Sequence, residues 1–245
     1  MRVALRDRID RGSDVTEPTP TLIACSHGTR FEEGREEIRA LVEQVRAVLP
    51  GVPVAQAFVD VEEPSIDDVV ASVEGPAVIV PLLLSAGFHT GIDIARAART
   101  RDDVVAAAPL GPHPLLALTL LERLQAAGLR AGDHVVLAAA GSSRPEAAVH
   151  VEQMRDLLAP LLSQPVTVGY AAGADPRIAA AVTAARDAGA QRVVSSSYVL
   201  APGFFSNEVL AAGADVTTAP LGADERVARV IAERYQTGLE ALAAR

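Results

Sequence analysis

The sequence predicts an α/β protein of two similar halves, each a parallel β-sheet flanked by helices, related by internal duplication with a cleft between them. Three observations support this fold class. Short apolar runs alternate with longer stretches rich in Ala, Glu and Arg, which is the pattern of successive βαβ units. The apolar runs are continuous, as expected of parallel strands buried on both faces. The same order of elements then occurs twice along the chain.

Residues 1–20 mix charges with two prolines and show no periodicity, so we expect a flexible N-terminal arm. The N-terminal half follows and is expected to span residues 21–130. Its short apolar runs predict strands, and the amphipathic stretches between them predict helices. In chain order we expect strand 21–26, helix 33–48, strand 54–59, helix 65–73, strand 77–84, helix 92–101, strand 104–107 and helix 114–127.

The C-terminal half, residues 131–245, repeats this order. We expect strand 135–140, helix 147–162, strand 166–170, helix 178–188, strand 192–200, helix 208–212, strand 217–219 and helix 225–243. Landmark residues recur with the elements, pairing Gly28 with Gly141, Pro64 with Pro176, and Leu110-Gly111 with Leu221-Gly222. We therefore place the boundary between the halves near residues 128–132.

The composition excludes several classes of protein. The 245 residues carry 22 basic and 31 acidic side chains, a formal net charge of −9, which argues against a nucleic-acid binder. Lys is absent, which excludes Schiff-base and P-loop lysine chemistry. The one cysteine, Cys25, excludes an intramolecular disulfide, and no secretory signal pattern is present, so we expect a cytoplasmic protein. The longest apolar run, 77–88, is shorter than the ~20 residues of a membrane span, so no membrane segment is expected.

Three metal-capable residues follow the first three predicted strands: His27, Asp60 and His89. Ligands bind outside the carboxyl ends of the strands of an open parallel sheet, where those ends converge in space. A single histidine at a strand end is more often a hydrogen-bonded loop residue than a ligand, but two histidines and an acid at successive strand ends favour a site. Imidazole with a carboxylate suits Fe²⁺, Co²⁺, Ni²⁺ or Zn²⁺, and neutral imidazole is also a suitable general base.

The C-terminal half offers an internal comparison for these three residues. Their equivalents there are Ala140, Ala172 and Phe205, while the neighbouring glycines persist. If the three residues were needed for folding, the second half would need them too. We therefore interpret them as one functional unit of the N-terminal half and expect the C-terminal half to be catalytically degenerate.

A resemblance to a known family rests on four segments: Ser26-His27-Gly28-Thr29-Arg30, then Ala57-Phe58-Val59-Asp60 leading into Glu63-Pro64-Ser65, then residues 80–89 (VPLLLSAGFH), and Pro109-Leu110-Gly111-Pro112. With these segments in order, the chain resembles the CbiX/SirB family of sirohydrochlorin chelatases, which are class II tetrapyrrole chelatases. The resemblance implies a lyase that inserts a divalent metal into sirohydrochlorin without ATP or any other cofactor. The metal would be Fe²⁺ on the route to sirohaem or Co²⁺ on the anaerobic route to cobalamin. It also implies the long form of the family, in which two halves mimic a dimer of short chains.

The resemblance assigns roles by position. The two family histidines fall on His27 and His89, which would be the catalytic residues and ligands of the incoming metal. The family's acidic residue, usually Glu, falls on Asp60, which is one methylene shorter, as a third metal ligand. The expected substrate-binding residues lie around the histidines: Gly28, Thr29, Arg30, Ser85, Ala86, Gly87 and Phe88. The expected partners are sirohydrochlorin and a divalent metal ion, bound by a monomer.

Alternatives to this function stay open. Iron is preferred over cobalt because sirohaem is the commoner requirement, so a sirohydrochlorin cobaltochelatase is the first alternative. A non-catalytic carrier of metal or tetrapyrrole is the second.

Other residues have interpretations of their own. Arg30 is a candidate partner for the substrate's carboxylates, whereas the arginines of the third loop and helix (Arg96, Arg99 and Arg101) are interpreted as a solvated helix face. Phe205 is a candidate apolar wall against the macrocycle. His113 is interpreted as a residue at a helix N-terminus and Cys25 as a small buried residue.

Overall fold

A computed structural model describes residues 19–85 and 88–245, with the side chains of residues 88–90 left out of the description. Four parallel strands form the first sheet: β1 (Thr21–Ser26), β2 (Val54–Phe58), β3 (Ala77–Pro81) and β4 (Val104–Ala106). Their order is β2-β1-β3-β4. The predicted arm at residues 1–20 falls almost entirely outside the described residues, so it stays a prediction.

The second sheet repeats the first. Its strands are β5 (Asp133–Ala139), β6 (Val166–Tyr170), β7 (Arg192–Tyr198) and β8 (Val216–Thr217), in the order β6-β5-β7-β8 and again parallel. The registers also correspond, since Ser26 of β1 lies opposite Phe58 of β2, and Ala139 of β5 lies opposite Tyr170 of β6. The two-half parallel α/β fold predicted from the sequence is confirmed.

In the part of the chain that the structure describes, each half has four α-helices in equivalent places. The first four are α1 (Glu32–Val48), α2 (Ile66–Ser72), α3 (Phe88–Ala98) and α4 (Pro114–Ala126). The last four are α5 (Pro145–Leu158), α6 (Ile178–Asp187), α7 (Phe204–Ala211) and α8 (Glu225–Ala243), with a 3₁₀ turn at Ala159–Leu161 after α5. Within the described residues, no helix is both long and apolar enough to span a bilayer.

The last helix of each half packs on the sheet of the other half. Helix α8 lies on β3 and β4, and α4 lies on β7. Gly238 permits the first contact, because a Cβ there would lie 2.3 Å from Cγ1 of Val78 in β3. One large apolar core therefore runs through both halves. The division at residue 130 separates the two sheets and stays a prediction as a domain boundary.

Several element ends differ from the sequence-based expectation, among them the end of α5, which lies at Leu158 rather than residue 162. Strand β3 ends at Pro81 rather than residue 84, because its neighbour β1 ends at Ser26 and offers no partner further on. Helix α3 begins at Phe88 rather than residue 92. Helix α7 begins at Phe204 rather than residue 208, directly after Gly203, whose N–H donates to the Ser206 hydroxyl oxygen (3.0 Å).

His113 is the N-cap of α4, as the sequence suggested. Its Nδ1 accepts the N–H of Leu115 (3.2 Å), while its Nε2 lies 2.9 Å from a carboxylate oxygen of Glu233 in α8. Because Nδ1 accepts, Nε2 carries the proton and donates to that carboxylate. The cap therefore also joins the two halves.

Candidate functional site

The loop after β1 carries His27, whose side chain is exposed at the carboxyl edge of the first sheet. The next residue, Gly28, has a φ of +91° and lies directly against the loop after β2. A Cβ on Gly28 would lie 2.2 Å from the carbonyl oxygen of Asp60. Only glycine combines this conformation with so close an approach of two backbones. The glycine thereby sets His27 beside the second loop.

Asp60 follows β2 and is exposed. Its N–H donates to the His27 carbonyl (3.1 Å), and its carboxylate accepts the N–H of Val61 (2.8 Å). The cleft between the halves is lined by Val61 and Glu62 from this loop, without Asp60 in the described lining. Its role as a metal ligand stays a prediction.

Glu62 is a residue of this site that sequence reasoning missed. Its carboxylate accepts the N–H of Thr29 (2.8 Å) and lies 3.3 Å from Nε of Arg35, which also donates to the Thr29 carbonyl (2.9 Å). The Glu62 side chain is only 12% exposed. Comparison of the two halves could have identified it, because the equivalent of Glu62 is Ala174. The polar side chain is replaced by alanine in the C-terminal half, as it is at His27 and Asp60. The network fixes the turn between His27 and α1.

The loop after β3 supplies residues 82–85 to the cleft, including the predicted substrate-binding Ser85. Ala86 and Gly87 lie outside the described residues. Phe88 and His89 are the first two residues of α3, and their side chains lie outside the described part of the structure. The predicted roles of these four residues therefore stay predictions.

A cavity of about 630 Å³ opens between the two halves. Its volume is within the range typical of small-molecule sites. The polar and charged side chains that the N-terminal half contributes are those of Ser26, His27, Thr29, Arg30, Glu62 and Ser85. From the C-terminal half come Ala139, Ala140, Gly141 and the residues 198–205. The cleft predicted between the halves is present, and four of the predicted site residues that are described on the first loop line it.

The opposite wall of the cleft repeats the backbone of the first loop but has alanines in place of His27 and Asp60. Ala172 donates its N–H to the Ala140 carbonyl (2.8 Å), as Asp60 does to His27. Gly141 has a φ of +83°, and a Cβ there would lie 1.9 Å from the Ala172 carbonyl oxygen. The two turns are thus built alike, and their side chains alone distinguish them.

Aromatic side chains make the rest of the C-terminal wall apolar. Phe204 is 58% exposed and packs edge-to-face on Phe205, with ring centroids 5.3 Å apart. Phe31, at the N-terminus of α1, is 40% exposed in the same cleft. Large apolar side chains left this exposed around one cavity are typical of a ligand-binding surface.

The arginines that the sequence analysis considered as carboxylate partners differ in whether they form ion pairs within the protein. Arg30 is exposed in the cleft and makes no ion pair within the described residues. Arg96 instead binds Asp67 through two hydrogen bonds, and Arg101 binds Asp103 and the carbonyls that end α2.

Cys25 is buried in β1, as the sequence predicted. Burial raises the pKa of Cys25 to about 12, so its thiol is a packed apolar group rather than a thiolate.

No cluster of three or more His, Cys, Asp or Glu side chains close enough to hold a metal ion occurs among the described side chains, from which His89 is left out.

Solved structures share the fold of this chain over 89–91% of its length. SirB from Bacillus subtilis with Fe³⁺ has a TM-score of 0.74 at 21% identity, covering 91% of this chain and 97% of its own. The sirohydrochlorin chelatase SirB of Bacillus subtilis subspecies spizizenii in complex with cobalt has a TM-score of 0.72 at 21% identity, covering 91% and 96%. CbiX, the terminal enzyme for siroheme biosynthesis in denitrifying bacteria, has a TM-score of 0.66 at 21% identity, covering 89% and 98%.

A comparison with curated protein sequences finds no match. The family model described as CbiX, in contrast, matches residues 21–127 and again residues 134–238, one copy for each half. The chain therefore belongs to the CbiX family and carries two copies of its domain in tandem.

Proposed function

We propose that the chain is a sirohydrochlorin chelatase, a lyase that inserts a divalent metal into the tetrapyrrole without ATP, with Fe²⁺ for sirohaem as the preferred metal. One observation carries the proposal. His27 stands at one wall of an interdomain cleft whose opposite wall has the same backbone turn, with Ala140 in place of the histidine, and apolar aromatic rings. A flat macrocycle with a single metal-delivery side fits such a cleft.

Metal insertion needs two chemical functions. The metal must pass from weak ligands to the four macrocycle nitrogens, and two pyrrole N–H protons must leave. Neutral imidazole serves both, because its nitrogen binds divalent metals and accepts a proton near neutral pH. In the proposal His27 and His89 hold the metal ion, and each takes up one pyrrole proton as its nitrogen releases the metal to the ring, with Asp60 as a third ligand or an orienting group.

The opposite wall stabilises the bound ring rather than the metal. Phe204 and Phe205 present apolar surface, and Ala140 stands where the N-terminal half has His27, so this wall offers no imidazole to the metal. Burying the faces of the macrocycle against this wall supplies binding free energy without competing for the metal. This asymmetry explains why a degenerate half is retained.

Substrate carboxylates require local positive charge, since the whole chain carries a formal net charge of −9. Arg30 meets that requirement at the cleft, because it is exposed and makes no ion pair within the described residues. Thr29 adjoins it. We assign both, with Ser85 and the residues 86–88, to substrate binding.

The deciding experiment is anaerobic metallation of sirohydrochlorin followed by absorbance, with His27→Ala and His89→Ala beside the wild type. Both variants are expected to fall to the spontaneous rate. His134→Ala is the matched control, because His134 lies on β5 with its Nε2 3.0 Å from Thr167, away from the cleft. Wild-type activity in His89→Ala would contradict the proposal.

Cobalt is the second candidate metal, since a solved structure of the same fold holds cobalt. Irving–Williams order favours Co²⁺ over Fe²⁺ at nitrogen ligands, so competition between the two metals in one reaction is the informative assay. Excess sirohydrochlorin separates an enzyme from a carrier, because a carrier stops at one equivalent of product.

A further inference from the structure

The segment that leads from β3 toward His89 is bound by the other half of the molecule. Tyr198, the last residue of β7, donates its hydroxyl hydrogen to the carbonyl oxygen of Leu84 (3.2 Å). Tyr198 is 2% exposed and lines the same cleft as Leu84. Burial raises the pKa of this hydroxyl, so it stays protonated and remains a donor. A side chain of the C-terminal half thus reaches the loop that precedes α3.

A glycine makes room for this contact. A Cβ on Gly111 would lie 2.0 Å from the Tyr198 hydroxyl oxygen and 2.5 Å from the Leu84 carbonyl oxygen. The second of these atoms belongs to the backbone and cannot rotate away. Leu110, the neighbour of Gly111, donates its N–H to the Leu83 carbonyl (2.8 Å). Three segments therefore meet at the Leu84 peptide with no space for a further side chain.

The C-terminal half shows what the tyrosine contact replaces. The equivalent of Leu84 there is Leu200, whose carbonyl accepts the N–H of Gly222 from the same half (2.8 Å). In the N-terminal half the corresponding carbonyl accepts the Tyr198 hydroxyl across the interface. The equivalent of Tyr198 is Leu82, which has no hydroxyl to return the contact. The hydrogen bond therefore runs in one direction only, from the C-terminal half to the half that carries His27 and His89.

We propose that Tyr198 is a positioning residue for metal insertion: its hydroxyl holds the Leu84 peptide, and with it the entrance to the segment that carries His89. The inference rests on the proposed function. It gives the C-terminal half a second task besides forming the apolar wall. A displacement of about 1 Å at a reacting group can cost on the order of 100-fold in rate, so a single peptide anchor at this place affects turnover.

The test is Tyr198→Phe, which removes one oxygen atom and keeps the ring. We expect the kcat for metal insertion to fall about 10-fold to 100-fold, as when an outer partner of a metal ligand is lost, while the KM for sirohydrochlorin stays within about 2-fold. Co²⁺ added without tetrapyrrole should show a changed visible spectrum, because its ligand field depends on where the ligands are held. If Tyr198 contributed to stability only, the Tyr198→Phe variant would keep the wild-type Co²⁺ spectrum, and its kcat would not fall while KM stayed unchanged.

Tyr235→Phe is the matched control. Tyr235 is 3% exposed, and its hydroxyl also donates to a backbone carbonyl, that of Pro20 (2.5 Å), away from the cleft. It should lose comparable stability and keep the kinetics and the Co²⁺ spectrum of the wild type. Tyr198→Leu, which copies the equivalent Leu82, is the second variant if Tyr198→Phe does not fold, and the same loss of kcat is expected.

The outcomes separate the two proposals. If Tyr198→Phe keeps the wild-type kcat and Co²⁺ spectrum while His89→Ala is inactive, the positioning role is overturned and the chelatase function stands. If the wild-type protein inserts no metal above the spontaneous rate, both are overturned. A kcat loss in Tyr198→Phe with no change in Tyr235→Phe supports the positioning role.

Discussion

Arg123 and Arg234 make the same contact in opposite directions across the interface between the two halves. Arg123 donates to the carbonyls of Pro220 and Leu221 (3.4 and 3.0 Å), and Arg234 donates to the carbonyls of Pro109 and Leu110 (2.8 and 3.1 Å). The donors are equivalent residues of the two copies, and so are the acceptors. Such reciprocity is the property of an isologous dimer interface, retained here within one chain.

The reciprocal arginines predict a cost in stability. Arg234→Ala leaves the carbonyls of the half-buried Pro109 and the buried Leu110 without their donor, and we expect the free energy of unfolding to fall by about 1–3 kcal/mol. Arg123→Ala should cost at least as much, because Arg123 also pairs with Asp224 (3.4 Å). Urea denaturation measures both.

The control for these arginines is Arg229→Ala. Arg229 is exposed on α8 and pairs only with Glu225 of its own helix within the described residues, so its loss should cost less than about 0.5 kcal/mol. Equal costs for Arg234→Ala and Arg229→Ala would contradict the assigned role of the interface arginine.

Gly28→Ala should destabilise the chain more than an ordinary glycine replacement at positive φ. The left-handed conformation alone costs about 1–2 kcal/mol for a residue with a Cβ, and the collision with the Asp60 carbonyl adds to it, for a total of about 3 kcal/mol or more. Gly51→Ala is the control, because Gly51 has a φ of +85° and a Cβ added there would meet nothing within 4 Å. Thermal unfolding of both variants gives the comparison, and a Gly28→Ala no less stable than Gly51→Ala would rule out the close approach.

Glu62 should affect turnover through the turn that carries His27. Glu62→Ala removes the acceptor of the Thr29 N–H and the partner of Arg35, and we expect kcat to fall about 10-fold. Glu62→Gln keeps a side-chain acceptor for the Thr29 N–H, so its kcat should fall less than that of Glu62→Ala. Glu63→Ala is the control, since Glu63 is the next residue and is exposed. Equal rates of metal insertion in the Glu62→Ala and Glu63→Ala variants would contradict the predicted effect of Glu62 on turnover.

Arg30 should make substrate binding sensitive to salt. If its guanidinium binds a carboxylate of sirohydrochlorin, KM rises with ionic strength, because screening weakens an exposed ion pair. Arg30→Ala should raise KM several-fold at low salt and flatten this dependence. Arg99→Ala, an exposed arginine away from the cleft lining, should leave both unchanged. A KM that is indifferent to salt in the wild type would count against the assignment.

Cys25 should make the folded state less stable at high pH. Burial raises its pKa from 9.0 to about 12, so the folded protein keeps the thiol proton where the unfolded chain releases it. The stabilisation is complete below pH 9 and is lost as pH rises toward the folded pKa, by up to about 1.4 kcal/mol per pH unit. Denaturation from about pH 8 to about pH 10.5 tests this: the free energy of unfolding should fall more steeply with pH in the wild type than in Cys25→Ala. Parallel curves for the two proteins would contradict it.

The sequence by itself determined the elements and their repetition. The run Thr21–Ser26 predicted a strand with its observed ends, because burial of every residue leaves a local signature. The strand Val166–Tyr170 was also predicted with its observed ends, although only its last three residues are buried. Helix α8 was likewise predicted with its observed ends, Glu225–Ala243. The contrast of His27 with Ala140 then indicated a candidate site from sequence alone. A fold that occurs twice and lacks the histidine in one copy does not need that histidine for folding, so the residue is a candidate for function.

Only the tertiary structure decided which segments meet. Helices α4 and α8 exchange sheets, Glu62 reaches Thr29 and Arg35, and Tyr198 binds Leu84 of the other half. None of these contacts has a period or a spacing along the chain. They arise where residues far apart in sequence are brought together by packing, and their geometry depends on the closeness of two backbones, as at Gly111. Local patterns therefore predicted the strands and the candidate site residues, and three-dimensional packing decided which segments of the two halves lie against each other.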